Sequence, residues 1–161
     1  MEKVRVLLDT NILISGLVFT RGNEHQILQL IENRTIKLLL PESVLIEARK
    51  VLIKRFPGFE QLLDIFLGRI EFEIAPLSRI LSLVENSGKK VRDVKDAPIY
   101  AAIALTRPDY AVTGDRNLRQ DLQRSSEITS NTKICSSKEL LEELRLRNPS
   151  NTSGPNTQSK K

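Results

Sequence analysis

Four acidic residues occupy places from which an α/β chain can do chemistry. Asp9 directly follows KVRVLL, and Asp115 directly follows YAVTG. Asp96 opens DAPIYAAIA, and Glu47 lies inside PESVLIEARKVL. In a parallel sheet, the residue just past an apolar strand sits at the carboxyl edge, where open α/β sheets bind ligands. Two carboxylates about 4 Å apart repel by roughly 4 kcal/mol at an effective dielectric near 20. A fold keeps several such groups together when a cation neutralises them. Oxygen donors with no histidine or cysteine select a hard ion, Mg²⁺ or Mn²⁺. That ion activates a bound water and stabilises charge on a phosphate, and a spare carboxylate can orient the water. A phosphodiester suits such a site on a basic protein.

Each acid also has an ordinary structural explanation. Asp96 can cap its helix. Asp115 can be a turn acid in GDRN, and Asp9 can form an Asx-turn with Asn11. Glu47 can pair with Lys50 or Lys54 on an exposed helix face. The coincidence of several acids at one sheet edge, with no lysine or arginine beside them in the strands, favours a joint role. Among the alternatives, His25 is the only histidine, so histidine-rich metal sites are excluded, and it is expected at the surface. Cys135 is the only cysteine, which excludes an internal disulfide and a multi-cysteine zinc site. At the end of TKIC it is expected as a buried strand residue.

The elements that must position these residues alternate in character. Strands are expected at Lys3–Leu8, Ile36–Leu40, Glu71–Ile74, Tyr110–Thr113 and Lys133–Cys135. Helices are expected at Asn23–Asn33, Glu42–Arg55, Glu60–Leu67, Leu77–Glu85, Asp96–Thr106, Leu118–Gln123 and Ser137–Arg147. Ser43 is the expected N-cap of the second of these, with Val44, Ala48, Val51 and Leu52 as its buried stripe. Pro98 falls in a first turn, where its missing N–H costs little. Gly114 is expected to permit a sharp turn, and SSKELLEEL carries a capping signal. Strands separated by helices imply right-handed parallel crossovers. The expected fold is a three-layer α/β/α sandwich with a mostly parallel sheet of four or five strands.

The 161 residues suit one domain, expected over residues 1–147. From Asn148 the chain reads NPSNTSGPNTQSKK, without apolar residues to bury, so residues 148–161 are expected to be a disordered tail. No apolar run approaches membrane-spanning length. The start, MEKVRVLLDTNIL, reads as a first strand and not as a signal peptide, and a cytoplasmic location is expected. A net charge of +5 is a modest pointer to a polyanionic partner.

Taken together, LLDTNILISGL, PESVLIEARKVL and VRDVKDAPIYAAIALTRPDYAVTGDRNL resemble the PIN domain family of nucleases. The most specific part is an Asp heading an alanine-rich helix, followed by a strand ending in Thr-Gly-Asp. The resemblance spans about Lys3 to Leu146 and implies that Asp9, Glu47, Asp96 and Asp115 form a quartet holding Mg²⁺ or Mn²⁺ to cleave RNA. It implies supporting roles for Thr10, Asn11 and Thr113. Asp93 matches an acid that is either a ligand or a loop acid. Small single-domain proteins of this kind resemble VapC-type toxins of toxin–antitoxin pairs, which implies a small antitoxin partner and a homodimer. The extra helix and strand at Phe56–Ile74 offer a place for such contacts. Competing readings are a PIN domain of RNA processing and a non-catalytic binding module. A haloacid-dehalogenase-like phosphatase would need a second Asp where Asn11 stands, and a receiver domain would need paired early acids and a late lysine.

Overall fold

Five aliphatic stretches become strands: β1 (Val4–Leu8), β2 (Ile36–Pro41), β3 (Phe72–Ala75), β4 (Tyr110–Val112) and β5 (Lys133–Cys135). The computed structural model describes residues 2–147, so the expected tail lies outside the described residues. The strands pair in the order β3-β2-β1-β4-β5, every pair parallel. Leu7, Leu8, Leu38, Leu39, Leu40, Ala111 and Val112 are all buried, as near-continuous apolar strands require when both faces of a sheet are covered.

Parallel neighbours cannot be joined by a hairpin, so helices make the crossovers. Helices α1 (Thr10–Val18) and α2 (Asn23–Glu32) lead from β1 to β2. Helices α3 (Glu42–Arg55) and α4 (Glu60–Arg69) lead from β2 to β3. Helix α5 (Leu77–Gly88), a 3-10 turn at Val94–Asp96 and α6 (Ala97–Thr106) carry the chain across to β4. Helices α7 (Arg116–Gln123) and α8 (Ser126–Thr129) join β4 to β5, and α9 (Ser137–Arg147) follows. The chain therefore travels outward from β1 to β3, then crosses back and travels outward the other way. With right-handed crossovers this reversal puts helices on both faces, giving the expected three layers. It also makes the boundary between β1 and β4 the switch point of the sheet, with a crevice beyond the strands' carboxyl ends.

Several local features depart from the sequence reading. Helix α1 has no counterpart in it, because Thr10, Ile12, Leu13, Ile14, Gly16 and Leu17 are all buried and leave no polar face to mark a helical period. The single turn α8 is too short to read. Ser43 does not cap α3: Pro41 holds that position, and the Glu42 side chain instead accepts from the Leu77 N–H at 2.7 Å. Gly114 does not use its freedom, since positive φ occurs at Gly58 (93°), Arg34 (66°) and Arg107 (50°). Gly16 matters for space, because a Cβ there would meet the Leu28 side chain at 2.7 Å and the Glu24 carbonyl at 2.9 Å. His25 is half-buried, not superficial, with Nδ1 2.8 Å from the Gly16 carbonyl oxygen. Cys135 is buried in β5 as expected, and burial pushes its thiol up to about 12. At the start of α9, the Glu139 N–H donates to Ser136 Oγ at 3.2 Å and the Ser136 N–H to Glu139 Oε1 at 2.8 Å, which is the expected capping box.

Candidate metal centre

Asp9 leaves β1 in extended conformation and becomes the N-cap of α1. Its backbone N–H donates to the Val112 carbonyl at 3.0 Å, continuing the β1–β4 ladder one step past the strand. Both carboxyl oxygens are engaged. Oδ1 accepts from the Thr10 N–H at 2.7 Å, and Oδ2 accepts from the Thr113 hydroxyl at 2.7 Å. The bond to the Thr10 N–H, within a cap, replaces the expected Asx-turn with Asn11. Burial pushes the Asp9 carboxyl above its usual value; the Thr113 and Thr10 bonds oppose that, and Asp115 adds to it.

Thr113 is the junction across the switch point. It is buried, its N–H donates to Cys135 O at 3.2 Å, and its hydroxyl oxygen accepts from the Asp115 N–H at 3.1 Å. One side chain therefore ties Asp9, at the end of β1, to Asp115, two residues past Thr113 itself. Arg119 of α7 donates to the Thr113 carbonyl at 2.8 Å and fixes the same turn from behind. Asp115 caps α7 through Oδ1, which accepts from the Leu118 N–H at 3.1 Å. The ordinary explanation for Asp115 is thus partly true, and it accounts for one of its two oxygens.

Asp96 does not take the capping role expected of it. The 3-10 turn before α6 leaves its backbone already helical, and its side chain makes no capping bond. Its carboxyl is pushed up to about 6, first by burial and then by Asp115, Asp93, Asp9 and Asp121. The four charges named as acting on it are all negative. Glu47, on α3, makes none of the ion pairs found among the described residues, so the expected pairing with Lys50 or Lys54 does not form. Its carboxyl is raised by partial burial and then by Asp9, against smaller lowering by the Thr10 side chain and Lys50. Thr10 is buried, Asn11 is exposed in the first turn of α1, and Asp93 is an exposed loop acid whose Oδ1 caps the 3-10 turn through the Lys95 N–H at 3.0 Å.

Asp9, Thr113 and Asp115 are therefore directly bonded into one unit, and Asp96 and Glu47 stand within electrostatic reach of it. Among the described residues, no trio of acidic, histidine or cysteine side chains is arranged to hold an ion as it stands. What converges is uncompensated negative charge on oxygen atoms. In kind, this donor set fits a hard divalent cation. The other end of the sheet provides a contrast. There Arg5 Nε meets Glu73 Oε2 at 2.8 Å with Lys37 3.8 Å away, and the bond from Arg5 holds the Glu73 carboxyl below its usual range. Acids at that edge are neutralised by the chain itself, whereas those at the carboxyl edge are not.

Three residues around the site carried no clear signal in the sequence. Arg119 and Asp121 sit in RNLRQDLQ, and Arg92 sits in VRDVKD. Asp121 alone offered a hint, as an acid beside Leu118 and Leu122 on the buried stripe of a short helix.

The sequence model of the PIN domain family matches residues 5–117, and the chain belongs to that family. Two solved structures show the same fold. VapBC2 from Rickettsia felis, bound to a DNA fragment from its promoter, superposes with a TM-score of 0.57 at 17% identity, covering 81% of this chain and 98% of that one. PAE2754 from Pyrobaculum aerophilum superposes with a TM-score of 0.52 at 22% identity, covering 89% of this chain and 96% of that one. No curated protein matches the sequence.

Proposed function

We propose that this chain is a metal-dependent endoribonuclease and the toxin of a toxin–antitoxin pair, with residues 1–147 as its catalytic domain. The observation that carries the proposal is the raised carboxyls of Asp9, Glu47 and Asp96, with Asp115 acting on Asp9 and Asp96 and Asp9 acting on Glu47, and with neither Asp9 nor Asp96 in any ion pair among the described residues. Asp9, Glu47, Asp96 and Asp115 would hold Mg²⁺ or Mn²⁺. When bound, such an ion supplies an activated water and stabilises charge on the phosphate. The chain's own residues do the positioning. Thr113 and the Thr10 N–H fix the Asp9 rotamer, and Arg119 fixes the turn that presents Asp115. Asp93, already committed to its turn, serves as a loop acid, and Asn11 is free at the surface to meet a backbone phosphate.

The toxin reading draws on family membership and on the likeness to VapBC2, a complex seen on its promoter DNA. It brings with it single-stranded or structured RNA as substrate, a small antitoxin as partner, a homodimer and a cytoplasmic setting. Among the described residues, no helix is long and apolar enough to cross a membrane. The test is cleavage of single-stranded RNA by the purified chain with Mg²⁺ or Mn²⁺, which EDTA should abolish. Asp115→Asn should lower the rate at least about 100-fold without lowering the melting temperature, because Asn caps a helix as well as Asp does. A folded Asp115→Asn protein that cuts as fast as the parent would overturn the proposal.

A further inference from the structure

Beyond the acids themselves, the segment that carries Asp96 is pinned by one arginine. Arg92 spends its backbone and its guanidinium on a single helix, α7. Its N–H donates to Asp121 Oδ2 at 2.9 Å and its Nε to Asp121 Oδ1 at 2.8 Å. Its Nη1 reaches Asn117 Oδ1 at 3.3 Å, and its Nη2 reaches Asn117 O at 3.1 Å and Gln120 Oε1 at 3.0 Å. The Asp121 side chain is only 7% exposed, and Arg92 occupies both of its oxygens. Burial alone would raise the Asp121 carboxyl, yet the bonds from Arg92 outweigh it and hold the group below its usual range.

The placement of this clamp is what gives it meaning. Four residues after Arg92 comes Asp96, and the helix that Arg92 grips begins at the cap Asp115. Each of the two segments carries an acid of the site, Asp96 on one and Asp115 on the other. The apolar anchoring of the Asp96 segment is slight. Val91 is half-buried, and Val94 is 69% exposed. A second tie runs through Lys90, 3.6 Å from Glu127 Oε2, an oxygen that also accepts from the Tyr100 hydroxyl at 3.0 Å. We infer that Arg92 is a positioning residue: gripped by Asp121, it fastens the Asp96 segment to α7, so that the third and fourth acids are set at one spacing before any cation arrives. The inference rests on the nuclease reading above and names a residue on which that site depends.

The test compares the full-length chain with Arg92→Ala and Arg92→Lys by Mn²⁺ titration calorimetry, amide exchange in EDTA and steady-state cleavage of a single-stranded RNA oligonucleotide. Arg92→Ala should weaken Mn²⁺ binding by about tenfold, the usual cost of losing a group that orients a ligand. It should speed exchange at residues 93–96 and lower kcat, while KM for RNA stays within about twofold of the parent. Lysine supplies a point charge without the planar fork, so Arg92→Lys should regain melting temperature but not Mn²⁺ affinity. The inference is overturned if Arg92→Ala binds Mn²⁺ and exchanges like the parent. It is equally overturned if only KM rises, which would make Arg92 an RNA contact. Should Arg92→Ala fail to fold, Arg92→Lys decides: parental Mn²⁺ affinity in that variant sinks the inference. A parent chain that binds Mn²⁺ but cuts no RNA refutes the nuclease reading alone, since affinity and exchange still judge Arg92. A parent that binds no Mn²⁺ refutes both.

Discussion

Asp96 shows best how a residue's surroundings change what can be said of it. In the sequence its position at a helix start looks like a sufficient explanation. In the structure the preceding 3-10 turn removes that role, and a carboxyl raised from 3.8 to about 6 is left without a capping bond. Because the raised group binds its proton more tightly folded than unfolded, the metal-free protein carries no penalty from it below pH 3.8. It loses stability as pH rises from there to about 6. Discounted for solvent screening, the loss is about 1 kcal/mol. Urea unfolding in EDTA should therefore show stability declining across that window, with Asp9 and Glu47 adding in the same sense. Asp96→Asn should flatten the decline and gain about 1 kcal/mol at pH 7. Equal slopes for variant and parent would show that the acids do not repel as described. Asp9, Asp115 and Thr113 were legible because each lies at or just past the end of a strand. Glu47 was legible through resemblance more than through spacing, since its link to Asp9 depends on how α3 lies across the sheet edge.

At the level of elements, the glycines separate two causes that sequence alone confuses. Gly114 looks like a required turn, whereas Gly16 carries no such signal. In the structure Gly16 lets α1 and α2 approach, and Gly114 has ordinary φ with open space where a methyl group would point. Gly16→Ala should cost about 1–3 kcal/mol by overpacking, whereas Gly114→Ala should leave the melting temperature unchanged. Thermal denaturation of both variants checks the pair, and equal effects would contradict the packing described here. The strands, and the helices with one polar face, were readable in outline. Helix α1 was not, because six of its nine residues are buried and the exposed Asn11 alone marks no polar stripe. The Arg92–Asp121 clamp was not readable either, since it joins residues that only the fold brings together.

Across the whole molecule, the two ends of the sheet are charged on opposite plans. Arg5 and Lys37 compensate Glu73 at the amino edge, while the carboxyl edge gathers acids on a chain of net charge +5. An RNA held by basic side chains elsewhere on the surface would release counterions, so its affinity should fall steeply between about 50 and 200 mM salt, as is general for such binding. Fluorescence anisotropy with a labelled single-stranded RNA in EDTA measures this apart from cleavage, and an affinity insensitive to salt would argue against a phosphate-binding surface. The parallel topology was foreseeable from alternating strands and helices. The strand order was not, because nothing local tells β4 to pair with β1 on its free side.

That late pairing sets a timetable for the ribosome. The Thr113 hydroxyl that orients Asp9 lies 104 positions further along the chain. A nascent chain that has emerged only as far as Thr106 already contains Asp9, Glu47 and Asp96, yet it lacks the strand and turn that lock the first of them in place. Under the proposed function, catalytic competence would then arrive abruptly, when β4 emerges and docks beside β1. Until that moment a chain with that function would leave intact the RNA it is being translated from.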